Sequence, residues 1–128
     1  MKVKFTLLGT GSSMGVPRPD GFFGKCDPNN KKNYRTRCSA LISFNKKNIL
    51  IDTSPDLRHQ LLSANITTVD NVLYTHFHAD QTHGINDLRV FYLKKQKKLT
   101  YIVISLLQNI FLKIFHIVLL KNMIIQQF

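Results

Sequence analysis

The sequence predicts an α/β fold, a mixed sheet with flanking helices, followed by an apolar tail of helical character. Three observations carry this. Short runs with strand-like alternation recur before residue 75, helix signals of the Ser-Pro type lie between them, and the composition changes abruptly near Lys94–Lys98. Alternation of period two marks strands, and a wider apolar spacing marks helices.

Taken in order, Lys2 to Leu8 places Val3, Phe5 and Leu7 on one side and ends at Gly9, the pattern of a strand. Gly9 to Pro17 is a loop by composition, and 18–36, with Pro19, Gly21, Gly24 and Pro28, is a long loop rich in basic residues. Long loops in compact domains are often functional. Cys38–Phe44 and Asn48–Ile51 bracket Asn45-Lys46-Lys47, a hairpin signal. Ser54-Pro55 supplies an N-cap and a proline at the first helical position, with Leu57, Leu61 and Leu62 as the apolar face of a helix over 55–64. Val69–Thr75, around Val72-Leu73-Tyr74, reads as a buried strand, and Ile85, Leu88 and Phe91 as the apolar side of a helix over 84–93.

The 128 residues suit one domain, and 44% hydrophobic content argues against disorder. There are 18 Lys+Arg and seven acids, all of them Asp, for a net charge of +11. With no Glu, catalysis by a pair of glutamates is excluded. Cys26 and Cys38 fit neither zinc-knuckle spacing nor a disulfide framework. The first residues lack the apolar stretch of a signal peptide, so a reducing, cytoplasmic setting is expected.

The densest chemistry is Thr75-His76-Phe77-His78-Ala79-Asp80-Gln81-Thr82-His83-Gly84. Imidazole and carboxylate are the ligands of zinc and similar ions. His76 and His78 alternate by two, so an extended segment points both to one side, and Asp80 follows at the same interval. Gly84 is expected to permit a tight turn into the next helix.

This run resembles the HxHxDH metal signature of the metallo-β-lactamase superfamily. Leu7-Leu8-Gly9-Thr10-Gly11-Ser12-Ser13-Met14-Gly15-Val16-Pro17 is similar to that family's opening strand and glycine loop. Ile51-Asp52-Thr53-Ser54-Pro55-Asp56-Leu57-Arg58 and Gly84-Ile85-Asn86-Asp87-Leu88-Arg89 are similar to its later segments. Together with Arg35-Thr36-Arg37-Cys38-Ser39 they point to the phosphoribosyl cyclic phosphate phosphodiesterase branch. The resemblance implies the first half of an αββα sandwich over 1–97. It implies a hydrolase of phosphodiesterase type using Zn2+ or Mn2+, with His76, His78 and Asp80 as ligands and Asp80 in the catalytic role. Asp52 would support the ligand shell by hydrogen bonding, and Arg18, Arg35 and Arg37 would hold substrate phosphate. The expected substrate is a small phosphodiester. The alternative within the superfamily resembles tRNA 3′-processing endonucleases, for which the +11 charge suits nucleic acid.

Two departures bear on activity. Position 81 is Gln where the signature has His, and nothing after Lys98 resembles the family's remaining ligand motifs. A remnant with impaired activity is therefore expected. The segment 98–128 carries Lys but no Asp, Gly or Pro. Its stretch 99–120 is long enough to span a bilayer, yet Gln108, Asn109, Lys113 and His116 interrupt it. With Ser105 these fall on one side of a helical wheel, which suits an amphipathic helix on a membrane surface or a partner. That is a non-enzymatic alternative acting through the tail. A frameshift near codon 98 is a further reading of the same composition.

Overall fold

The computed structural model describes residues 2–95, 99–103 and 123–126. It contains a six-stranded mixed sheet ordered β1-β2-β3-β4-β5-β6, the strands being Val3–Gly9, Ser39–Phe44, Lys47–Ile51, Asn71–Tyr74, Leu99–Val103 and Met123–Gln126. The first two pairings are antiparallel and the last three parallel. Helix α1 (Leu57–Ser63) links β3 to β4, and α2 (Ala79–Thr82), a 3-10 turn (Ile85–Leu88) and α3 (Arg89–Lys95) lie between β4 and β5.

The expected hairpin forms, with β3 beginning one residue early at Lys47. Asn45 and Lys46 both take positive φ (46° and 62°). That is the two-residue turn whose twist matches the flanking strands. The helix expected over 55–64 begins at Leu57 instead. Ser54 and Pro55 form a preceding turn, in which the Ser54 hydroxyl accepts from the Asp56 amide at 3.0 Å. The strand expected over 69–75 is shorter, and the helix expected over 84–93 is split into the 3-10 turn and α3.

Leu99 was expected to open a helical tail. It opens β5, which pairs with β4 from Asn71↔Thr100 to Tyr74↔Val103, and Met123–Gln126 pairs with β5 in turn. The physical reason is the parallel neighbour: β-branched and aromatic residues such as Thr100, Tyr101 and Ile102 suit a strand once a partner edge is available. The side presented by Ser105, Gln108, Asn109, Lys113 and His116 lies outside the described residues. Among the described residues no helix is long and apolar enough to cross a membrane.

The sheet's two faces differ. The registers align Leu41, Leu50, Val72 and Tyr101 across β2–β5. These are buried together with Leu57, Leu61, Ile85, Leu88 and Phe91 from the helices, making one core on one side of the sheet. Tyr74 and Tyr101 stack there with ring centroids 6.3 Å apart. The opposite face begins with Val3, Phe5 and Leu7, which are 54–64% exposed.

Two contacts hold the loops above the sheet's C-terminal end. Arg37 donates to both oxygens of Asp56, at 2.7 and 2.9 Å, and its own amide donates to Asp56 Oδ2 at 2.8 Å. This bidentate pair pins the approach to β2 onto the start of α1, and the Asp56 carboxylate is thereby spent on Arg37 rather than on capping the helix. The Arg37 guanidinium holds the Asp56 carboxyl below its ordinary range. At Gly84 a Cβ would stand 2.0 Å from the Ser54 carbonyl oxygen and 2.9 Å from Leu57 Cβ. Gly84 has φ −81°, so this glycine answers a close approach of two backbones and not the turn conformation that its sequence position suggests.

Gly84→Ala is expected to destabilise the fold by about 2–3 kcal/mol, because the clash is with backbone that cannot rotate away. A shift in the denaturation midpoint of less than a few tenths of that would contradict the contact. Asp56→Asn is expected to cost about 1–3 kcal/mol near neutral pH. Because folding lowers this pKa, the stabilisation is full above the unfolded carboxyl value of 3.8 and fades as pH falls through the depressed folded value. Stability curves of the two proteins should therefore converge in acid, and parallel curves would exclude the pair as their source.

Candidate metal and phosphate site

The candidate site stands where β3 and β4 end side by side. Leaving β3, the chain places Asp52 at φ +58°, a left-handed conformation, with its side chain buried. Its carboxylate reaches across to the exit of β4, where Oδ1 accepts from the Thr75 amide at 2.8 Å and Oδ2 from the Thr75 hydroxyl at 2.7 Å. Burial pushes the Asp52 carboxyl above its ordinary value, and the Thr75 bonds pull against that rise. The next residue, Thr53, is fully buried. Its amide donates to the Gln81 carbonyl at 2.6 Å, and its carbonyl accepts from the Gly84 amide at 2.9 Å. Its hydroxyl meets the Tyr74 hydroxyl at 2.8 Å. These bonds clamp α2 onto the end of β3.

Beyond Thr75 the chain runs extended through His76 and His78. Their rings meet edge to face with centroids 4.6 Å apart, and Phe77 packs against His78 at 5.3 Å. The expectation that the two imidazoles share a side is met. His76 Nδ1 lies 2.9 Å from the Thr75 hydroxyl oxygen. An ionised Asp52 only accepts, so the Thr75 hydroxyl gives its proton there. Its oxygen is then the acceptor for a proton on His76 Nδ1. The Asp52–Thr75–His76 chain thus assigns the His76 tautomer and leaves Nε2 with its lone pair. Asp52 thus contacts His76 through Thr75, a residue to which the sequence assigns no role.

Asp80 was placed in the same extended run, but it lies in the first turn of α2, which begins at Ala79. Its Oδ2 accepts from the Gln81 side-chain amide at 2.9 Å. Gln81 is buried, and its side-chain oxygen has no hydrogen-bond partner among the described residues. His83 is at the exposed C-terminal end of α2, with Nδ1 3.2 Å from the Thr82 hydroxyl. In donor chemistry these residues fit a divalent ion, and in number they fall short. Among the described residues no group of three or more His, Cys, Asp or Glu side chains is gathered so as to hold one.

The three arginines are not equivalent. Arg37 is paired with Asp56, and Arg18 with Asp20 while its guanidinium lies 4.7 Å over the Phe22 ring. Arg35 donates to the Thr10 hydroxyl at 2.9 Å and has no carboxylate partner among the described residues. It lines a polar cavity of about 300 Å³ with Lys32, Tyr34, Thr10, His59 and Ser63. The sequence reading missed Lys32 and His59, which lie in a loop and on α1 and carry no motif.

Comparison with known proteins bears on the fold. A family model described as "Beta-lactamase superfamily domain" matches residues 47–115, over half of the chain. A Porphyromonas gingivalis protein named octanoyltransferase is 46% identical over 84 residues, which is 65% of this chain and 17% of that one. Among solved structures, a diphosphatase from the PhnP family is 27% identical with a TM-score of 0.85, covering 99% of this chain and 51% of its own. Zn2+-bound PqqB from Methylobacterium extorquens (18% identical, TM-score 0.76, 99% and 46% covered) and the short form of human tRNase Z (15%, 0.64, 98% and 45%) share the fold. The chain therefore spans about half the length of these structural relatives. From strand order, the extended His pair and the match over 47–115 together, this chain belongs to the beta-lactamase superfamily.

Proposed function

We propose that the chain carries part of a metal-dependent hydrolase site acting on a small phosphodiester or diphosphate. The observation that carries this reading is the His76–His78 pair, set edge to face at the end of β4 with the His76 tautomer fixed through Thr75. His76 and His78 would hold a divalent ion, Zn2+ or Mn2+, with Asp80 as the neighbouring carboxylate. Such an ion supplies Lewis-acid polarisation of a phosphoryl oxygen. The protein's own part is to orient imidazole lone pairs and to hold the substrate's negative charge. Arg35, unpaired with any described carboxylate, is the arginine of the three most available to a phosphate, in a cavity that Lys32 shares and that has no lining residue in common with the His pair.

Open catalytic zinc sites generally use three protein ligands. Two imidazoles and a carboxylate already bonded to Gln81 give a weaker centre, so slow turnover is part of the proposal. A small substrate is preferred to RNA for two reasons. The diphosphatase of the PhnP family matches this chain in sequence as well as fold, whereas tRNase Z matches in fold alone. Moreover, two of the three arginines proposed to meet phosphate already have carboxylate partners.

Zinc titration against a chromogenic chelator tests the site directly. About one ion per chain is expected, with His76→Ala weakening its binding by more than ~10-fold, consistent with loss of a ligand. Equal binding by both proteins, or none by the parent chain, would remove the metal reading. Asp52→Asn should fold, since an amide can replace both carboxylate contacts. It frees the Thr75 hydroxyl to donate to His76 Nδ1 and so reverses the tautomer. Nitrogen-15 shifts of His76 should report the Nε2–H form, with zinc affinity lower by ~10–100-fold. An unchanged tautomer would show that Thr75 does not transmit the Asp52 charge.

A further inference from the structure

Helices α1 and α3 carry apolar side chains that the core does not use. Leu61 and Phe91 belong to the core and are each 6% exposed, while Leu62 and Val90 are 62% and 56% exposed. A helix packed on a sheet ordinarily gives its outer side to polar residues. Both helices connect parallel strands on the same side of the sheet, so they run side by side in the same sense. Between them lies a cavity of about 450 Å³. The buried pair Leu61 and Phe91 closes it toward the core, and Leu62, Ile66 and Val90 line it further out. Arg58 and Asp87 belong to the end where the helices begin, Lys94 to the end where they finish. Asp87 accepts from the Arg58 amide at 3.2 Å, and Lys94 has no carboxylate partner among the described residues.

We infer that this groove binds a straight-chain carboxylate of medium length, its hydrocarbon along Leu62, Ile66 and Val90 and its head group at Lys94. Size, shape and charge select that ligand. The volume falls within the ~300–1,000 Å³ of small-molecule sites, which are mostly apolar with a few polar groups that fix orientation. The helices have seven residues each, about 10 Å of length, which suits one short hydrocarbon chain rather than a long partner element. At the Lys94 end the lining holds no acid, whereas beside Arg58 the Asp87 carboxylate would repel a second one. A cationic amphiphile of the same length gains nothing at Lys94. The groove shares no lining residue with the Arg35 cavity and includes neither His76 nor His78, so this ligand and the hydrolase reading fail separately.

Isothermal titration calorimetry of the full chain tests the site with straight-chain carboxylates from hexanoate to dodecanoate, each below its micelle concentration. One site per chain is expected. Affinity should rise about two- to threefold per added methylene until the groove is filled, below the ~4-fold that complete burial gives. Lys94→Gln should weaken decanoate binding about fivefold, and added salt should act in the same direction. Val90→Glu should weaken it by more than ~10-fold, through repulsion and loss of apolar contact. Val3→Thr, at a site on β1 that is 54% exposed, should leave it unchanged. Circular dichroism establishes that each variant is folded. No uptake of decanoate, no dependence on chain length, equal uptake of decyltrimethylammonium, equal affinities of Val90→Glu and Val3→Thr, or binding only to anionic phospholipid vesicles would each overturn the inference.

Discussion

The Asp52 carboxylate holds the candidate site in register. It lies between the ends of two parallel strands, takes a left-handed backbone conformation, and binds the amide and hydroxyl of Thr75 across the gap. A buried carboxylate is costly unless its oxygens are satisfied. Here the satisfaction comes from the residue that opens the His-containing segment. The stability of the strand exits and the orientation of His76 are therefore one problem with one solution. Thr53 and Gly84 complete it from the other side, bonding the β3 exit to α2 so that the segment from His76 to His78 is held at both ends.

Much of this was legible in the sequence, for specific reasons. The hairpin announced itself through Asn45-Lys46-Lys47 between apolar runs, and the His pair through a spacing of two after an apolar strand. Local signals of that kind survive folding because neighbouring residues decide them. The start of α1 lies later than expected because Ser54 and Pro55 form a separate turn, in which the Ser54 hydroxyl accepts from the Asp56 amide and its carbonyl from the Leu57 amide. Leu99–Val103 differs from expectation because of a partner distant in sequence. Its apolar run fits a helix or a strand equally, and the exposed edge of β4 decides. Thr75 escaped notice because a lone threonine carries no pattern; only its place between Asp52 and His76 gives it a role.

Charge illustrates the same division between composition and arrangement. Eighteen basic residues against seven acids suggest a surface that attracts anions indiscriminately. Folding distributes that charge unevenly. Asp20 and Asp56 each take an arginine, while Arg35 and Lys32 are left around a polar cavity. Scarce carboxylates thus act as selectors, deciding which cations remain available to a phosphate. A bidentate pair such as Arg37–Asp56 is the more effective selector, because guanidinium and carboxylate match in geometry as well as charge.

The position of Gln81 connects these strands of argument. The side-chain amide there donates to Asp80, while the backbone carbonyl, whose role does not depend on the side chain, accepts from Thr53. The result is an Asp80 carboxylate with one oxygen already engaged. It also leaves the Gln81 side-chain oxygen buried with no partner among the described residues, a penalty that the rest of the fold must offset. In this chain the His pair rests on a framework in which the Asp52 carboxylate accepts from Thr75 and the Asp80 carboxylate from the Gln81 side chain.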